Sequence, residues 1–204
     1  MADAMTGINA KDVAELRRRT GAGMMECKRA LAETGGDFDK ASEWLRAHGA
    51  ARADKRADRS AKQGLVESYV HHSGNLGVLL ELNCETDFVA RTDDFKSLAK
   101  DVAMHIAAAA PQAVSVDQLD PEVVEREKRI FTEQVAQEGK PEAVRAKIVE
   151  GKLRKFYSEV VLLEQPFVKD DKHTVGEVVK AVSAKTGENV VVKRFVRFQL
   201  GEAV

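Results

Sequence analysis

Between residues 83 and 91, Asn-Cys-Glu-Thr-Asp-Phe-Val-Ala-Arg, the apolar rhythm of this chain changes, and the change limits the folds open to it. Before it, Val78, Leu80, Leu82 and Cys84 alternate with Leu79, Glu81 and Asn83, the two-residue period of a strand. After it, Phe95, Leu98, Ala99, Val102, Ala103, Ile106 and Ala109 recur at the spacing of one stripe on an amphipathic helix. A chain that passes from strand to helix in so few residues makes an exposed corner. Phe88 stands on that corner between an acid and a β-branched residue, and two readings are open. The ring folds back onto the core, or it is presented as an anchor for a partner, since aromatics on rigid corners dominate binding energies.

The rest of the chain supports that corner. Residues 9–49 carry a compact three-helix pattern. Val13 and Leu16 mark a first helix that stops at Thr20-Gly21-Ala22-Gly23, where glycine takes the left-handed geometry of a helix end. Met24, Cys27, Ala30 and Leu31 mark a second. Asp37 caps a third, with Phe38, Ala41, Trp44 and Leu45 on one face and Gly49 just past its expected end. So small a unit has no room for a buried active site, so a structural bundle competes with a protein-binding module; Met24 and Met25 suit adaptable contact surfaces as well as cores. Residues 50–63 are rich in alanine and charge and predict a solvated helical linker. A nucleic-acid tail fits them less well, because Asp54 and Asp58 dilute the basic run and no aromatic is interleaved.

Leu65–His72 and Leu76–Cys84 flank Ser73-Gly74-Asn75, a hairpin signal, and both faces of these strands carry apolar residues that want cover. His71 and His72 are adjacent, so within a strand they point to opposite faces and share no metal. Pro121 and Pro141 sit where a first helical turn tolerates proline, and Gly139-Lys140-Pro141 joins two long helices closely enough to make them antiparallel. Val149, Leu153, Phe156, Val160 and Leu163 form a seam on the second; Val124, Ile130, Phe131 and Val135 face it from the first. Gln165–His173 reads as a loop, Thr174–Glu177 as a capping box, and Val190–Leu200 as a last strand. The fold class is therefore α+β: a three-helix bundle, a three-stranded antiparallel sheet packed with helices, and a projecting helical hairpin. The expected divisions are 1–50 for the bundle, 51–63 for the linker, 64–119 for the first part of the sheet body, 120–164 for the hairpin and 165–204 for the last helix and strand. Few helices cover such a sheet, and a second copy of the chain is the economical cover for the bare face.

A net charge of -1 over 204 residues describes no polyanion binder, and the two cysteines, Cys27 and Cys84, form neither a CxxC pair nor a disulfide framework. Residues 1–9 lack a signal or transit pattern, and no apolar run approaches the ~20 residues of a membrane span, so a cytoplasmic protein is expected. Phosphate-loop, nucleophile-elbow and zinc-helix motifs are absent from the sequence, and no cofactor or metal is expected. The nearest thing to a catalytic cluster is Cys84, Glu85 and Asp87 with His71 or His72, a notional metal hydrolase.

Four strings carry a family resemblance: Thr20-Gly21-Ala22-Gly23-Met24-Met25-Glu26-Cys27-Lys28-Arg29-Ala30-Leu31, Asn83-Cys84-Glu85-Thr86-Asp87-Phe88-Val89, Gln165-Pro166-Phe167-Val168 and Arg194-Phe195-Val196-Arg197-Phe198. In order, from about residue 9 to 201, they resemble bacterial translation elongation factor Ts in its short form. The resemblance implies a non-enzymatic guanine-nucleotide exchange factor for elongation factor Tu, with a ubiquitin-associated-like N-terminal bundle docking through Gly21, Gly23, Met24, Met25 and Lys28. It implies that Thr86, Asp87, Phe88 and Val89 intrude beside the partner's nucleotide and lead to loss of its Mg²⁺. The helical hairpin matches the family's coiled coil, and a homodimer pairing through its sheets is implied as well. Some short members carry a cysteine near the end of the last strand; Val196 lies in that region here, so any dimer rests on packing. A scaffold whose bundle recruits a client without affecting nucleotide is the rival reading.

Overall fold

The computed structural model describes residues 8–139 and 141–202. Most of the residues behind the expectation for the N-terminus, and Lys140 in the hairpin connection, lie outside the described residues. The fold is α+β, with eight α-helices among the described residues and a three-stranded antiparallel sheet in which Leu76–Cys84 lies between Gln63–Val70 and Val191–Gln199. Two compact units divide the chain: one gathers the N-terminal helices through Gly64 with Asn83–Phe95 and Val179–Val191, and the other holds the remainder.

In the first unit, α1 (Ala10–Thr20), α2 (Met24–Glu33) and α3 (Phe38–Asp54) bury Val13, Leu16, Cys27, Ala30, Leu31, Ala41 and Leu45 together. Asn9 caps α1 through the Asp12 amide, and Gly21 ends it at φ 70°. In α2 the buried face is made by Cys27, Ala30 and Leu31, while Met24 is exposed. Helix α3 does not stop at Gly49. A Cβ there would come 3.0 Å from the Ala184 Cβ, so this glycine serves a close helix-to-helix approach instead of an end. The charged stretch after it is no free helix either. Chain 55–59 turns, Lys180 pairs with Asp54 at 2.8 Å, Arg56 donates to the Ser183 carbonyl at 3.4 Å, and the Asn189 amide nitrogen donates to the carbonyls of Ala57 and Arg59.

Strands β1 (Gln63–Val70) and β2 (Leu76–Cys84), of which the second unit holds Leu65–Leu82, form the expected hairpin, with Gly74 at φ 71° in its turn. Strand β1 ends before the histidines, so strand alternation does not separate them: the rings of His71 and His72 lie 4.1 Å apart, centroid to centroid. Helices α6 (Pro121–Gln137) and α7 (Glu142–Val160) run antiparallel, since Lys152 reaches Gln134 and Glu138 while Val124 from the start of α6 and Phe156, Tyr157 and Val160 from the end of α7 all pack against the cluster of Ala113, Leu119 and Val161. Ile130, expected on that seam, is partly exposed.

The stretch read as a loop holds a small antiparallel pair, β3 (Pro166–Phe167) with β4 (Asp170–Thr174). It is too short to show periodicity, and buried side chains fix it: the Val168 amide donates to His105 Nδ1 at 3.2 Å, and Phe167 lies against the same ring. Thr174 and Glu177 close the capping box reciprocally at 2.9 and 3.2 Å, opening α8 (Val175–Thr186). Strand β5 (Val191–Gln199) completes the sheet. Val78, Leu80 and Leu82 are buried, whereas Val66, Leu79, Val196 and Phe198 are exposed, so the chain covers one face where the sequence wanted both covered.

Candidate partner-binding site

Strand β2 ends at Cys84, and two residues later Thr86 caps a four-residue helix, α4 (Asp87–Ala90), its hydroxyl accepting the Val89 amide at 3.4 Å. After Thr92 the chain enters α5 (Asp93–Ala109). Capping at the start of α4 directs Phe88 away from the core: it is 81 % exposed, a large ring held open to solvent on a hydrogen-bonded turn. Asp87 and Val89 flank it, also outside the core, and Asp87 pairs with Arg91 at 2.8 Å. The ring of Phe88 does not fold back onto the core of this chain.

The base of the corner is held from a distance in sequence. Glu188 Oε2 accepts the amides of Glu85 (3.1 Å) and Thr86 (3.0 Å), while Glu188 Oε1 accepts the Thr86 hydroxyl (2.6 Å). Glu85 returns the arrangement, its Oε1 accepting the Asn189 amide at 2.7 Å and lying 3.5 Å from Arg59. None of Glu188, Asn189 or Arg59 stood out in the sequence. Glu188 and Asn189 follow Gly187 like any polar turn, and a separation of about a hundred residues leaves no local trace.

Met24 and Met25 sit in the first turn of α2, and Met25 is 75 % exposed. Gly23 is the N-cap, and Lys28 lies one turn on, half-buried. Gly21 has a reason within the fold besides its left-handed backbone: the Lys185 stem crosses it, so that an added Cβ would clash at 2.5 Å, and Lys185 continues to Asp94 at 2.7 Å. These residues and the corner belong to one compact unit.

The chemistry imagined around Cys84 is not assembled. Burial, reinforced by the Glu188 charge, pushes the Cys84 thiol up, so it stays protonated and donates to the Thr86 carbonyl at 3.1 Å. His71 and His72 precede β2 and Cys84 ends it, with the whole strand between them. Among the described residues no group of three or more His, Cys, Asp and Glu is placed to hold a metal ion, and no helix is long and apolar enough to cross a membrane.

An α+β chain that presents an aromatic on a braced corner, beside a helical bundle with exposed methionines, has the attributes of a protein-contact module. Comparison with known sequences gives the class a family. The family described as Elongation factor TS matches residues 50–202. The chain is 55 % identical over 200 residues to Elongation factor Ts of Desulforamulus reducens, covering 98 % of this chain and 92 % of that one. It is 56 % identical over 195 residues to Elongation factor Ts of Fervidobacterium nodosum, covering 96 % and 99 %. The Anaeromyxobacter sp. protein of the same name is 56 % identical over 200 residues, covering 98 % and 91 %. The chain belongs to the elongation factor Ts family.

Proposed function

We propose that this chain is a cytoplasmic guanine-nucleotide exchange factor for elongation factor Tu, acting by contact and not by bond chemistry. The observation that carries the reading is Phe88, 81 % exposed on a hydrogen-bonded turn. A nucleoside diphosphate with Mg²⁺ is held largely through its phosphates and its metal, so displacing the loops that hold the ion removes much of the affinity. In this account Thr86, Asp87, Phe88 and Val89 enter beside the partner's nucleotide, and Gly21, Gly23, Met24, Met25 and Lys28 present the docking face of the bundle. Burying a Phe ring of ~200 Å² at ~25 cal/mol per Å² supplies a few kcal/mol, enough to matter and too little to act alone. The remainder comes from the bundle and from the sheet body with its hairpin. Linkage makes the effect reciprocal, so the factor by which the chain weakens nucleotide is the factor by which nucleotide weakens the chain.

The exposed sheet face fits the second half of the proposal, a homodimer. Val66, Leu79 and Val196 line an open hollow of about 330 Å³ bordered by the Glu81–Arg194 ion pair (2.7 Å). Apolar side chains concentrated on one sheet face are what a second copy covers. Stopped-flow release of a fluorescent GDP from elongation factor Tu tests the exchange reading. Saturable acceleration by the chain is expected; binding with an unchanged off-rate would give the scaffold reading instead.

A further inference from the structure

We propose that Glu188 is a positioning residue for the corner, setting the presentation of Phe88 through Thr86; the functional half of this rests on the exchange reading above. A helix of four residues has no stability of its own, because nucleation costs more than so few bonds return. The order of α4 therefore comes from its cap, and the cap is Thr86, with φ -127° and ψ 156°. What fixes Thr86 is Glu188. One carboxylate oxygen takes the amides of Glu85 and Thr86 at 3.1 and 3.0 Å, groups left without strand partners where β2 ends, and the other takes the Thr86 hydroxyl at 2.6 Å. With its proton directed to Glu188, the Thr86 oxygen turns its lone pairs to the Val89 amide at 3.4 Å.

Glu188 is itself fixed. The Ser183 hydroxyl donates to its carbonyl at 2.5 Å, and the next residue, Asn189, gives its amide to Glu85 at 2.7 Å. Asn189 also donates its side-chain nitrogen to the carbonyls of Ala57 (3.1 Å) and Arg59 (2.9 Å). The two acids thus latch each other's backbone, and Asn189 extends the latch to the segment that leaves α3. A ring so held enters an interface without first losing the freedom of a loop, which is where preorganisation gains affinity and rate.

Three measurements on the full chain test the latch. In the free protein, Glu188→Ala should speed hydrogen exchange at the Glu85, Thr86 and Val89 amides at least tenfold while leaving α5 amides and cooperative melting in place. Glu188→Gln keeps an oxygen for the two amides and should recover most of the protection at Glu85 and Thr86, but its NH2 cannot accept the Thr86 hydroxyl, so exchange at Val89 should stay faster than in the parent; if the alanine form fails to melt cooperatively, parent-like Val89 exchange in this variant overturns the latch. In GDP release from elongation factor Tu, Glu188→Ala should lower the maximal rate several-fold, and combining it with Phe88→Ala should add little to Phe88→Ala alone. Unchanged amide exchange in Glu188→Ala overturns the latch, and multiplicative rate losses in the double variant overturn its action through Phe88. If the parent chain itself fails to accelerate release, the exchange reading falls, while amide exchange still decides the latch.

Discussion

His105 is only 1 % exposed, and its two ring nitrogens do opposite work. Nδ1 accepts the Val168 amide at 3.2 Å, so the proton sits on Nε2 and is donated to Gln165 Oε1 at 2.9 Å; Gln165 gives its own amide hydrogens to Ala109 and Glu159 carbonyls. Burial lowers the pKa, opposed in part by the Gln165 bond. Because the unfolded imidazole, near 6.5, protonates first, the stability His105 contributes is complete above about pH 6.5 and is lost as pH falls from there toward the folded pKa. Urea unfolding from pH 7.5 to 5.5 should show stability dropping on the acid side, by at most about 1.4 kcal/mol per pH unit for this one proton. His105→Asn should be less stable at pH 7.5 and lack the slope, and a flat profile for the parent would contradict the account. Carboxylates held below their usual range, such as Asp37 under the Lys40 amide and Asp170 under the His173 bond, lose their contribution only at lower pH. The sequence marked Phe88 as standing on a corner but left its direction open, because the cap that aims it is braced by Glu188, about a hundred residues away.

At the scale of elements, helix α8 shows how one small residue sets a packing distance. Gly176 lies in its first turn, where an added Cβ would come 2.9 Å from the Leu163 carbonyl oxygen, a backbone atom that yields only if the turn after α7 shifts. Gly176→Ala should therefore destabilise the chain by about 1–3 kcal/mol despite alanine's better helix propensity, measured by denaturant midpoint at constant m-value. An unchanged or raised midpoint would show that the turn adjusts freely. Helices with a clear apolar stripe and a local stop were legible in the sequence: α1 by Val13, Leu16 and Gly21, and α8 by its Thr174–Glu177 box. Elements defined by distant partners were not. Gly49 looked like a stop because glycine usually is one, but here its missing side chain admits Ala184. The β3–β4 pair looked like a loop because its order comes from His105, some sixty residues earlier.

For the whole molecule, the proposed dimer places the burden on the outer sheet face, where Phe198 is 58 % exposed and shares a strand side with Val196. Light scattering should give twice the chain mass for the parent and the single-chain mass for Phe198→Asp, with circular dichroism unchanged. A monomeric parent, or a variant that stays dimeric, would place the contact elsewhere. The bare face was readable in the sequence as apolar residues on both sides of β1 and β2, since strand alternation needs no distant partner to be seen. The exchange account rests on the corner, and stopped-flow release of fluorescent GDP from elongation factor Tu by Phe88→Ala against the parent tests it most directly. The account predicts a variant that melts as the parent does and still associates with the partner, but whose maximal release rate is at least tenfold lower. A variant that releases GDP as fast as the parent would contradict it.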